Sequence, residues 1–210
     1  MKAHDKQKRM RIYFTGVGGQ GTLTATTLLA RTALQAGLDV VAGEVHGMAQ
    51  RGGSVVSHVR LANQDEPRID APLIAHGEAD LIIAFEPAEA VRCLGYLRPG
   101  GALVSATSSV QPVTAALSRD AYSSKPFLEY LRQTVPNCLL VDDTALIKQI
   151  GSPKALNVAL LASAVAISDL GFTVEELRAA MHASVRSQFV ALNDRAIDVA
   201  VAAISAFASR

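Results

Sequence analysis

Two short segments concentrate the groups able to do chemistry. The first is Gly16-Val17-Gly18-Gly19-Gln20-Gly21-Thr22. It lies between a β-prone run, Ile12–Phe14, and a helix-patterned stretch. A strand that turns through glycines into a helix leaves backbone N–H groups aimed at one point, where the helix dipole favours an anion. The spacing Gly16-x-Gly18-x-x-Gly21 also satisfies the dinucleotide fingerprint. In that scheme Gly16 permits the tight turn, Gly18 lets a phosphate or carbonyl approach the backbone, and Gly21 lets the helix pack on the strand. A glycine turn needed only for strand–helix packing is the alternative, though such a turn has no use for the Gln20 amide.

The second segment is Glu44-Val45-His46-Gly47-Met48-Ala49-Gln50-Arg51-Gly52-Gly53. It places an acid, an imidazole, an amide and a guanidinium among three glycines. Glycines at that density allow close approach to another backbone or a ligand. Arg51 offers a planar fork for carboxylate or phosphate. A surface loop with a solvated Arg51 is the alternative. Glu44 falls near the end of the second strand, where a dinucleotide-binding fold carries its ribose acid.

Other polar positions have competing explanations. His46 and His58 titrate near neutrality and could move protons, or be hydrogen-bonded structural groups, the latter especially for His58. Asn157 lies inside an apolar helix and requires a partner, either a loop end or a ligand. Glu86 closes an apolar strand, so it points to the ligand edge of a parallel sheet or caps the next helix. Catalytic residues are not identifiable. The two cysteines, Cys93 and Cys138, are too few for an iron–sulfur cluster and read as small buried apolar residues. The five histidines lack zinc spacing, so no metal site is expected.

The elements that must position these groups follow from the pattern. Strands are expected at 11–15, 39–42, 54–61, 80–85, 102–107 and 138–141. Helices are expected at 22–36, 87–97 and 127–134, with Pro99-Gly100-Gly101 a turn and 108–124 a long excursion. Asp142, Asp143 and Thr144 are natural caps for a following helix. From about residue 154 the chain reads as helix, with Thr173-x-x-Glu176 a capping box. The fold class is therefore α/β: a Rossmann-like, mostly parallel sheet with helices on both faces and a helical C-terminal third. A polar extension, 1–9, precedes one domain at 10–210.

Composition narrows the function. Half of the 210 residues are apolar, enough for a substantial core. The formal charge of +1 argues against a nucleic-acid or membrane-surface binder. There is no tryptophan, so a base-stacking platform is not expected. No signal-peptide pattern or comfortable membrane span is evident, which fits a cytoplasmic chain.

Gly16–Gly21, then Glu44–Arg60, then Ala79-Asp80 with Glu86-Pro87 resemble the gamma-type domain of 2-oxoacid:ferredoxin oxidoreductases. The His46–Gly53 element resembles most the indolepyruvate type. The resemblance runs in order from about Met10 to Gly171. It implies a subunit of an enzyme that oxidatively decarboxylates a 2-oxoacid with thiamine diphosphate. Electrons pass through iron–sulfur clusters to ferredoxin and the acyl group passes to coenzyme A. It further implies that thiamine diphosphate and clusters belong to a large alpha subunit, so this chain binds no cofactor alone. Gly16, Gly18, Gly19, Gln20, Gly21, Thr22, Glu44, His46, Gln50, Arg51, Gly52 and Gly53 are the expected contacts with ligand or partner, with Glu86 and Asn157 weaker candidates. Two rivals remain: a stand-alone NAD(P)- or FAD-dependent oxidoreductase, and a purely structural interface subunit.

Overall fold

A computed structural model describes residues 9–46, 52–110 and 122–208. Their elements run β1 (Arg9–Val17), α1 (Thr22–Gln35), β2 (Asp39–His46), β3 (Ser54–Ala62), β4 (Ala79–Ala84), α2 (Pro87–Cys93), β5 (Leu97–Ala106), α3 (Lys125–Thr134), β6 (Asn137–Val141), α4 (Asp143–Ile150), α5 (Leu156–Ile167), α6 (Val174–Ser184) and α7 (Ser187–Ala208). The α/β expectation and the helical C-terminal third are both met.

The six strands form one sheet in the order β2-β3-β1-β4-β5-β6. The pairs β1–β4, β4–β5 and β5–β6 are parallel. Strand β3 is antiparallel to both β1 and β2, so five strands run one way and β3 runs against them. Only residues 47–53 separate β2 from β3. A parallel crossover needs a dozen residues or more, so this pair has to be a hairpin.

β4 (Ala-Asp-Leu-Ile-Ile-Ala) is buried along its whole length, as befits a central parallel strand covered on both faces. Leu81 and Ile83 join Ile12, Phe14 and Val104 beneath α1, α4 and α5. Ile82 joins Tyr13 and Leu103 on the opposite face, beneath α2 and α3. Helix α5 is buried continuously from Asn157 to Val165. It is therefore apolar all round, lying between the sheet and an outer layer that includes α7.

Local chemistry sets the boundaries. Thr173 and Glu176 form the expected capping box of α6. Asp142 caps α4, accepting from Ala145 N at 2.9 Å. Asp143 does something else: its Oδ1 accepts from Thr107 N (3.0 Å) and Ser108 N (2.8 Å), tying down the chain as it leaves β5. Two expectations are corrected. The helix from Pro87 ends at Cys93 and tightens into a 3-10 turn, Leu94–Tyr96. Pro99-Gly100-Gly101 lies inside β5, at a register shift against β4, where a strand accommodates proline. Among the described residues no single helix is long and apolar enough to cross a membrane; α4 and the Pro153–Ile167 stretch pass such a test only together, bent by 116°.

Candidate functional site

The carboxyl ends of β1 and β4 bring the glycine turn, Gly53 and Glu86 to one edge of the sheet. Strand β1 continues to Val17, so Gly16 lies within it, opposite Val55. Its role is close approach, not the turn. An added Cβ would stand 2.9 Å from Gln20 Oε1 and 3.0 Å from both Phe85 Cβ and Thr22 Oγ1. The backbone reversal falls instead to Gly19 and Gly21, with φ of 106° and 81°.

Gly21 also makes room for Asn157. A Cβ there would lie 2.8 Å from the Asn157 Nδ2. That amide donates to Gly21 O at 3.4 Å, so the partner that Asn157 requires is a loop end. Gln20 folds back on its own turn. Its Oε1 accepts from Val17 N at 2.7 Å, and its Nε2 donates to Phe85 O at 2.8 Å. The side chain thus latches the end of β1 to the end of β4, which accounts for an amide in this turn. Gln20→Ala removes both bonds and should lower stability by about 1–3 kcal/mol in urea titration. No loss would mean the latch is replaced by water at no cost.

The two chemistry-bearing segments meet directly. Gly18 N donates to Gly53 O at 2.9 Å. The reversed β3 makes this possible, because its start abuts the end of β1. Helix α1 begins without a side-chain cap on its N-terminal amides, and Thr22 Oγ1 is buried without a hydrogen-bond partner. An anionic group is the natural complement of such a helix start.

The rim extends through residues that the sequence reading missed. Ser54 Oγ donates to Glu89 Oε2 at 2.7 Å. Glu86, 1% exposed, caps α2 by accepting from Glu89 N at 2.9 Å, and accepts from the Tyr122 hydroxyl at 3.2 Å. The signal for Glu89 was present: an acid three residues into a helix whose cap is also an acid. Tyr122 had no signal in a stretch without periodicity. Burial raises the Glu86 carboxyl above its ordinary value, outweighing the hydrogen bonds from Glu89 N and Tyr122. Burial, then the Glu86 charge, pushes the Tyr122 phenol up to about 12.

A carboxyl that keeps its proton longer when folded stabilises the fold fully below its unfolded value, and that contribution is lost as the pH rises through the native one. Wild-type stability should therefore fall from about pH 4.5 upward on account of Glu86. Glu86→Gln should make that fall shallower in melting curves taken between about pH 4 and pH 7. An unchanged slope would remove Glu86 from the titration.

The remaining positions separate. Glu44 pairs with Ser57, which pairs with Phe14, so Glu44 is two strands from the glycine turn and level with the interior of β1. A ribose acid belongs on the strand beside β1, and that place is taken by β3. His46 ends β2 opposite Val55. Gln50 and Arg51 lie outside the described residues. Gly52 adopts φ 73°, next to the Gly53 anchor. His58 is buried, its Nδ1 accepting from Ile74 N at 3.0 Å and its ring edge-on to Tyr13, and burial lowers its pKa. It is a structural histidine. Burial pushes both thiols upward, Cys138 to about 11, so neither is a thiolate at neutral pH. Among the described residues no group of three or more His, Cys, Asp or Glu could hold a metal.

A sheet of this order, with a glycine turn closed by its own β3 backbone and a polar rim at the strands' carboxyl edge, defines a Rossmann-like domain in which the reversed β3 lies beside β1. Residues 11–203 match the family described as pyruvate ferredoxin/flavodoxin oxidoreductase, and the chain belongs to that family. It is 36% identical over 190 residues to indolepyruvate oxidoreductase subunit IorB of Archaeoglobus fulgidus, covering 90% of this chain and 92% of that one. The gamma subunit of the keto/oxoacid ferredoxin oxidoreductase of Geobacter sulfurreducens superposes with a TM-score of 0.70, at 21% identity, covering 94% of this chain and 97% of that one. The 2-oxoglutarate:ferredoxin oxidoreductase of Magnetococcus marinus, solved with 2-oxoglutarate, coenzyme A and succinyl-CoA bound, matches 95% of this chain within 32% of its own, at 16% identity and a TM-score of 0.67. The expectation of a 2-oxoacid:ferredoxin oxidoreductase subunit is met.

Proposed function

We propose that this chain is the small subunit of a cytoplasmic indolepyruvate-type oxidoreductase. The complex converts an arylpyruvate to an acyl-CoA and passes two electrons to ferredoxin. Thiamine diphosphate and iron–sulfur clusters belong to a large partner subunit. Thiamine diphosphate there supplies the carbanion stabilisation that decarboxylation needs. This chain supplies orientation: the uncapped start of α1, together with the guanidinium of Arg51, receives an anionic part of substrate or coenzyme A. The substrate reading rests on the naming of the Archaeoglobus relative. The observation that carries the site is the Gly18 N–Gly53 O hydrogen bond, which joins the two segments most able to hold an anion.

The test is an assay of the chain alone and with its large subunit, using indolepyruvate, coenzyme A, thiamine diphosphate and a viologen dye. The chain alone should form no acyl-CoA, and the complex should form it. Turnover by the chain alone would overturn the subunit reading. Calorimetry covers the dehydrogenase rival: NAD(H), NADP(H) and FAD should show no tight binding, because Gly18 N is already bonded and β3 displaces the ribose acid.

A further inference from the structure

A groove of about 440 Å³ runs along the outer face of α1, against the start of α5 and the α6–α7 junction. Its lining is mainly apolar. Leu23 and Phe189 both line it, 43% and 36% exposed, with Leu192 beside them. Arg31 and Lys154 line it too, and no carboxylate does. Among the described residues neither cation has an ion-pair partner, whereas the guanidinium of Arg178 on the neighbouring α6 binds Asp194 and Asp198. Apolar surface flanked by two uncompensated cations is complementary to an acidic, apolar occupant.

We propose that this groove seats an acidic, apolar peptide segment of the large partner subunit. A large apolar side chain packs between Leu23 and Phe189, and carboxylates of the same segment face Arg31 and Lys154. The inference rests on the two-subunit reading above and adds the face through which assembly occurs. Asn157 lines the same groove and bonds to Gly21 O, so the docked segment abuts the residue that supports the glycine turn. Assembly and the ordering of the candidate site are thereby linked.

The experiment uses the complex purified through a tag on the large subunit. Amide exchange and lysine acetylation are compared between the free chain and the complex. In the complex, the amides of the first two turns of α1 and of the start of α7 should exchange at least about ten-fold more slowly, and Lys154 should resist acetylation. The double variant Arg31→Glu/Lys154→Glu should weaken assembly at least about thirty-fold, with the melting curve of the free variant unchanged. Phe189→Asp should weaken it comparably. Arg132→Glu, on α3 across the sheet, should assemble normally. A complex that forms with no protection along α1 and α7, or that tolerates the double reversal, overturns the groove. Saturable binding of free indolepyruvate to the isolated chain, abolished by the same reversal, overturns the peptide in favour of a small acid. Failure of any complex to form overturns the two-subunit reading instead.

Discussion

Gly21→Ala should lower the stability of the chain by about 2–4 kcal/mol, and its melting temperature by about 4–16 °C for a chain of this size. Two independent causes act at this position. A φ of 81° is left-handed, and an L side chain there costs about 1–2 kcal/mol. The new methyl group also meets the Asn157 amide, whose Nδ2 lies 2.8 Å from it. The two causes separate in a double-mutant cycle. Asn157→Ala removes the collision but leaves the dihedral strain, so Gly21→Ala should cost about 1–2 kcal/mol in that background. Thermal and urea melts of the four proteins decide it. Strict additivity would mean that the new methyl group does not collide with Asn157.

In the assembled complex, Arg51→Ala should reduce kcat/KM for the 2-oxoacid or coenzyme A by roughly ten- to a hundred-fold. A charge-assisted contact to a carboxylate or phosphate is worth about 1.5–3 kcal/mol, and about 1.4 kcal/mol is one decade. Lysine rescues only partly, because it lacks the planar fork. The isolated variant should melt as the wild type does. Arg51 is two residues from Gly53, whose carbonyl accepts from Gly18 N in the glycine turn at 2.9 Å. Unchanged kinetics in a fully assembled variant would leave this arginine solvated, and unfolding of the variant would make it structural.

The parts of this protein legible in its sequence are those governed by neighbours along the chain. The apolar run of β4, the Thr173–Glu176 capping box and the Ile12–Thr22 strand–turn–helix each follow from a few adjacent residues. Less legible were features set by partners distant in sequence. Gln20 looks like a ligand-binding amide until Phe85, 65 residues away, is seen to accept its hydrogen bond. Glu44 looks like a ribose acid until β3 is found between its strand and β1. The length of the β2–β3 connection did contain that information, since seven residues cannot make a parallel crossover. Tyr122 meets Glu86 from 36 positions along the chain, and no local pattern encodes that meeting.

The hydrogen bond from Gly18 to Gly53 has a mechanical meaning. It couples two segments 35 residues apart into one moving part, since neither can shift without stretching a 2.9 Å bond or dragging the other along. Gln20 fastens one side of that part to β4, and Asn157 braces the other from α5. The brace from α5, the turn and the start of β3 thus form one continuous chain of hydrogen-bonded groups ending at Gly53.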